Sequence, residues 1–199
     1  AAVWGLGSGV DTISAQANGM GRIDVVGETF ARGMAVLWTL AWAPGSLTWW
    51  KSGTILRVAG VDAETAERVE RFARWRVPGL FLQCATCVML KTMLAMKRSR
   101  RVAALSVCTT PLKFIAPFFC IRKFRNLEGA AIGLTLVDIG TFSMYAVGFA
   151  TSETLRGTLK NVRVFPDAFR DWWGYLRLAI PGMGMQCIEW WSWDFNTAL

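Results

Sequence analysis

The stretch CIEWWSWDF, residues 187–195, sets Glu189 against Trp190 and Trp191 and carries Asp194 near its end. It lies late in an apolar run that begins near Leu178. On a helix turning about 100° per residue, Gly182, Gln186, Glu189, Trp193 and Asn196 share one side, at spacings of three and four. That is a polar stripe on an apolar cylinder. A charged side chain in hydrocarbon costs at least a few kcal/mol, so such residues face a bundle interior or a wet cavity. Removal from water favours the neutral form of a carboxyl group, and an acid so placed can load and release a proton. Tryptophan faces hold organic cations through the ring quadrupole. The residue types therefore point to a protonatable, cation-friendly site. The competing reading is a carboxylate that snorkels to an interface or pairs with a distant lysine. Asp194, five residues on and about 140° around the helix, lies off the stripe, where it reads equally as an interfacial or packing carboxylate.

The elements that must hold this stripe read as membrane helices. Of 199 residues, 53% are hydrophobic, with eleven tryptophans and twelve phenylalanines. The mean hydropathy is +0.34, above the usual soluble balance. From Gly33 to Trp50 no residue is charged, and a run of about 18 apolar residues with few charges is a spanning candidate. Further crossings are expected at residues 77–96, at about Val102–Ile121 and at about Gly129–Phe149, with a last helix from near Ala168. The first segment ends at Gly19-Met20-Gly21, and an acidic-then-basic ramp, Asp62–Trp75, leads into the third crossing. The periods are helical and too long for strands. The expected fold class is all-α, a polytopic membrane helix bundle. Both ends fall inside apolar sequence, so the chain is expected to be a fragment of a larger membrane protein.

The formal net charge is +8, without histidine. The basic residues cluster between apolar runs, as in Lys97–Arg101 and Arg122–Arg125. That is the pattern of cytoplasmic membrane loops rather than of a nucleic-acid surface. Loops after segments one, three and five carry Arg22, Lys97, Arg98, Arg100, Arg101, Arg156, Lys160 and Arg163; the opposite loops carry Lys51, Arg57, Arg122, Lys123 and Arg125. The richer side is expected to be cytoplasmic. Cys84 and Cys87 form a lone CATC; without a second pair or a histidine they read as small apolar residues of a helix, and no metal site is expected.

The segment WWGYLRLAIPGMGMQCIEWWSWDF resembles the seventh transmembrane helix of eukaryotic multidrug and toxic compound extrusion (MATE) transporters. Trp172, Tyr175, Leu176, Arg177, Leu178, Pro181, Cys187, Glu189, Trp190 and Trp191 fit that pattern, and Asp194 stands where many members have glutamate. GLGSGVDTISAQANGMG resembles the family's second helix through Asp11, Thr12, Gln16, Ala17 and Gly19. Ala73-Arg74-Trp75 with Pro78-Gly79-Leu80-Phe81 resembles the approach to the fourth helix, and LEGAAIG, residues 127–133, the start of the sixth. Four motifs in order span nearly the whole chain. The sequence departs from the pattern at Ser14-Ala15, at Leu94 and Met96, and at Asp138, Ile139 and Thr141. Asp138 reads either as a second cavity carboxylate or as sequence drift or a structural partner.

The resemblance implies a partial two-lobe fold: residues 1–150 an incomplete N-terminal lobe, 151–167 a polar connector, and 168–199 the first helix of the C-terminal lobe. It implies a secondary transporter that expels organic cations, xenobiotics or metabolites in exchange for protons. Glu189, Asp194, Gln186, Trp190, Trp193 and Gln16 are its candidate proton- and substrate-binding residues. The expected partners are a small cationic substrate, protons and the lipid bilayer, with no nucleic acid, no cofactor, no metal and no catalytic residue, in a plasma or organelle membrane. A non-transporting remnant of such a protein is the alternative. A membrane-embedded enzyme using Glu189 as an acid or base is a further one, for which no histidine or second convergent group is at hand.

Overall fold

A computed structural model describes residues 2–160, 162, 168–169 and 171–198, the last without the side chains of Asp194, Phe195 and Ala198. Among these residues every regular element is helical. Small residues open the chain: α1 (Ala2–Leu6) and α2 (Ser8–Gly19) meet at Gly7. The turn that follows uses Gly21 at φ +72°, a backbone conformation that glycine adopts without steric cost. The rod α3 (Ile23–Leu40) continues through a π-helical turn, Ala41–Gly45, into α4 (Ser46–Trp50). Pro44 lies in that turn, where the wider ring absorbs the missing N–H.

After α5 (Ser52–Val58), Asp62 caps α6 (Ala63–Ala95) by accepting a 2.8 Å bond from the Thr65 N–H. The acidic-then-basic ramp and the third crossing are thus one helix. Its 33 residues extend about 50 Å, more than the roughly 30 Å of hydrocarbon in a bilayer. Glu64–Arg68, Glu67–Arg71 and Glu70–Arg74 lace its polar end as i,i+4 pairs. Then α7 (Ser99–Phe124) and α8 (Leu127–Ala150) form an antiparallel hairpin. A Cβ on Gly133 would press on the Pro117 backbone, and one on Gly140 on the Leu112 side chain. Among the described residues, α6, α7 and α8 are long and apolar enough to cross a membrane. On α7, Val107, Phe114 and Phe119 are exposed, as suits a helix facing lipid tails.

The connector is not wholly polar. It holds α9 (Glu153–Leu159), whose Leu155 and Thr158 are buried on α3, where Gly27 leaves no room for a side chain beside the Thr158 carbonyl. Residues 163–167 lie outside the described part. The last helix, α10, runs from Trp172 to Ala198, beginning later than the expected Ala168. Two apolar clusters make the core. One joins α1, α2, α3, α6 and α10 around Val10, Leu37, Val88 and Tyr175; the other joins α2, α3, α6, α7, α8 and α9 around Val26, Met93, Tyr145 and Leu155. Cys84 and Cys87 are buried in the first, with the Cys87 thiol 3.7 Å from the Val3 carbonyl, so they serve as small packing residues.

Both ends of the bundle follow from this packing. Asn18 Nδ2 donates to the Ala95 carbonyl at 3.0 Å, Arg98 to Thr154 Oγ1 at 2.6 Å, and Arg101 to the Gly148 carbonyl at 2.7 Å. Arg22, Lys97 and Arg156 therefore share one end, and Lys51, Arg122 and Arg125 lie at the other.

Candidate functional site

Glu189 belongs to a stripe whose lower part is the docking face of α10. Tyr175, Ala179, Gly182, Gln186 and Glu189 follow at spacings of four, three, four and three, the interval that keeps side chains on one side. Tyr175 and Ala179 are fully buried, and the Tyr175 hydroxyl donates to the Leu6 carbonyl at 2.7 Å. Glycine makes the approach possible. A Cβ on Gly5 would overlap the Met183 backbone, one on Gly9 the Tyr175 ring, and one on Gly182 the Ser8 hydroxyl. These contacts fix α10 antiparallel to α1 and α2.

Higher on the stripe, Gln186 Nε2 donates to Glu189 Oε2 at 2.8 Å. This bond spends the amide's N–H on the carboxylate and holds the acid at a defined rotamer. The Ser192 hydroxyl donates to the Glu189 carbonyl at 2.8 Å. Glu189 is exposed, as are Trp190, Trp191 and Trp193, each more than half open. No lysine or arginine among the described residues reaches Glu189 within 4.0 Å.

Two acids inside the bundle, Asp138 and Asp11, have basic partners. Asp138, midway along α8, meets Arg76 of α6 at 2.5 Å, with both side chains largely enclosed. Gly79 makes the room, since a Cβ there would overlap the Asp138 carboxylate. The Thr135 hydroxyl adds a 2.9 Å bond to the Trp75 carbonyl one turn away. Of the two readings open for Asp138, the structure shows the partner. On α2, Asp11 accepts from Lys91 Nζ of α6 at 3.0 Å. Lys91 was not singled out by spacing, although a lone cation inside an apolar crossing is a signal in itself.

The candidate residues do not converge. Gln186, Glu189, Trp190 and Trp193 lie together on α10. Gln16 is exposed on α2, on the far side of the Gly9–Tyr175 contact and about 30 Å from Glu189 along the helix axes. The Asp194 side chain lies outside the described residues. A cavity of ≈ 640 Å³ opens between α1, the π-helical turn, α6 and α10, with Trp4, Trp49, Gln83 and Met183 on its walls. None of the candidate residues lines it.

A family model described as MatE matches residues 1–119. Protein DETOXIFICATION 14 of Arabidopsis thaliana is 27% identical over 99% of this chain and 40% of its own length. Protein DETOXIFICATION 10 of the same plant is 29% identical over 96% of this chain and 39% of its own. The chain thus spans about two-fifths of the curated relatives it matches. The crystal structure of the eukaryotic MATE transporter AtDTX14 superposes with a TM-score of 0.87 at 26% identity, covering 98% of this chain and 43% of that one.

Proposed function

Because this chain belongs to the MatE family and is an integral, multi-pass membrane protein, we propose that it is part of a secondary transporter that expels organic cations or metabolites in exchange for protons. One observation carries the reading. The acids inside α2 and α8 each have a basic partner, whereas Glu189 has only the Gln186 amide. A carboxylate held in place without a counter-charge is an open seat for one. The Gln186 bond supports its role as the residue that orients that seat, and the exposed faces of Trp190 and Trp193 can stack on a cationic ring.

The mechanism follows from competition at one group. Ionised Glu189 binds the substrate cation, and protonation from the far side removes the charge and releases it. Proton and cation cannot occupy the carboxylate together, so their fluxes are coupled without a covalent step. Rocking of one lobe against the other supplies alternating access. In this reading residues 1–150 form most of the first lobe, 151–167 the connector and 168–199 the first helix of the second. The glycine-lined contact of α10 with α1 and α2 becomes the seam between lobes. Asp194 is the second acid of α10, and Gln16 a polar contact lower in the pathway.

The test is pH-driven export of ethidium from cells making the full-length parent, with and without Glu189→Gln. Export by the parent and its loss in the variant support the coupling carboxylate. Equal export by both proteins rejects it.

A further inference from the structure

Two of the ion pairs that α6 makes with other helices are built for different purposes. Arg76–Asp138 is closed: the side chains are 14% and 18% exposed, and Gly79 lets the carboxylate lie against the helix backbone. A guanidinium is also a planar, multi-donor group suited to permanent pairing. Lys91–Asp11 is open. Asp11 keeps 40% of its side-chain surface exposed against 21% for Lys91, whose Nζ lies 3.0 Å from Asp11 Oδ2. A lysine ammonium is a compact charge on a flexible stem, able to leave without disturbing the helix. One turn along α2, the Ser14 hydroxyl is fully buried and without a partner, an unmet polar group of the kind a ligand satisfies.

We propose that Asp11 is a second cation-binding carboxylate, about 20 Å from Glu189 along the bundle, whose occupant at rest is the tethered ammonium of Lys91. An incoming organic cation displaces Lys91 and takes its place, so Lys91 sets which cations this site admits: those that bind Asp11 better than a primary ammonium does. The proposal goes beyond the role given to Glu189, and it rests on the transport reading only in supposing that organic cations reach the bundle interior.

Displacement is read on Lys91 itself. The 199-residue chain, reconstituted in phosphatidylcholine nanodiscs, is pulsed with acetic anhydride, and acetylation is quantified by mass spectrometry. Lys97, exposed in the turn between α6 and α7, is the internal reference. Tetraethylammonium chloride carries no reactive amine. It is expected to raise Lys91 acetylation severalfold over Lys97, whereas sodium chloride at equal ionic strength leaves it unchanged. Asp11→Asn is expected to make Lys91 react fast from the outset and to abolish the response. The response is expected to persist in Glu189→Gln, which separates this site from the coupling carboxylate whatever the transport assay gives. The comparison with and without tetraethylammonium needs no variant, so it stands even if Asp11→Asn folds poorly. Lys91 acetylation indifferent to tetraethylammonium, a response retained in Asp11→Asn, or an equal response to sodium would each overturn the proposal.

Discussion

Asp138 illustrates what a single intramembrane charge demands of its surroundings. Its carboxylate lies 2.5 Å from the Arg76 guanidinium, and Gly79 of α6, where a Cβ would overlap it, has no side chain. Removing one partner strands the other charge where little water reaches, at a cost of about 3–5 kcal/mol, whereas replacing both with apolar groups of similar size is often nearly neutral. Arg76→Met is therefore expected to destabilise the chain by about 3 kcal/mol, and Arg76→Met with Asp138→Leu to recover most of that loss. Denaturant unfolding in detergent measures both. Equal losses in the single and double variants would mean that Arg76 acts through packing alone. Gly5 has the same logic without charge. Gly5→Val would drive a methyl group into the α10 backbone at Met183, and overpacking of this kind costs about 1–3 kcal/mol.

At the start of α6 the helix cap responds to pH. Accepting the Thr65 N–H holds the Asp62 carboxyl below its ordinary value of 3.8. A depressed folded value means that the cap's contribution is full above the unfolded value and is lost as pH falls through the folded one. The first turn of α6 is expected to fray in acid, with amide exchange at Thr65 and Ala66 quickening relative to Val88. Asp62→Asn should remove that dependence, and identical acid profiles would refute it. The same helix shows what sequence makes legible. Apolar runs near 20 residues announced α6, α7 and α8, and the Glu–Arg ramp announced a helical polar end. Fusion of ramp and crossing through Pro78 was not visible, because it depends on the neighbours that tolerate a proline there. The π-helical turn at Pro44 and the burial of Leu155 on α3 depend on tertiary contacts in the same way. In the site, the three- and four-residue spacing correctly grouped Gln186 with Glu189. It could not reveal that Lys91 answers Asp11, since nothing local links positions 80 residues apart.

For the whole molecule, the charge pattern and the packing together dictate an orientation. Arg22, Lys97, Arg98 and Arg101 belong to turns that hydrogen bonds gather at one end: Asn18 to Ala95, Arg98 to Thr154, Arg101 to Gly148. The opposite end has its own cations, but α6 projects from it as a long polar segment whose arginines sit four residues after glutamates. Short basic turns weigh more in orientation than long extramembrane segments. The turn at Ser99 is therefore expected to face the cytoplasm and the turn at Asn126 the opposite compartment. Cysteines placed at Ser99 and at Asn126, one at a time, report this through a membrane-impermeant maleimide. Sealed right-side-out vesicles should label the Asn126→Cys protein and spare the Ser99→Cys protein until the membrane is opened. The reverse pattern would turn the bundle over and put Glu189, some 25 Å along α10 from Trp172, nearer the cytoplasmic face. On the proton-coupled reading proposed above, Glu189 would then load from the opposite side, so the topology measurement also fixes the direction in which such a cycle would run.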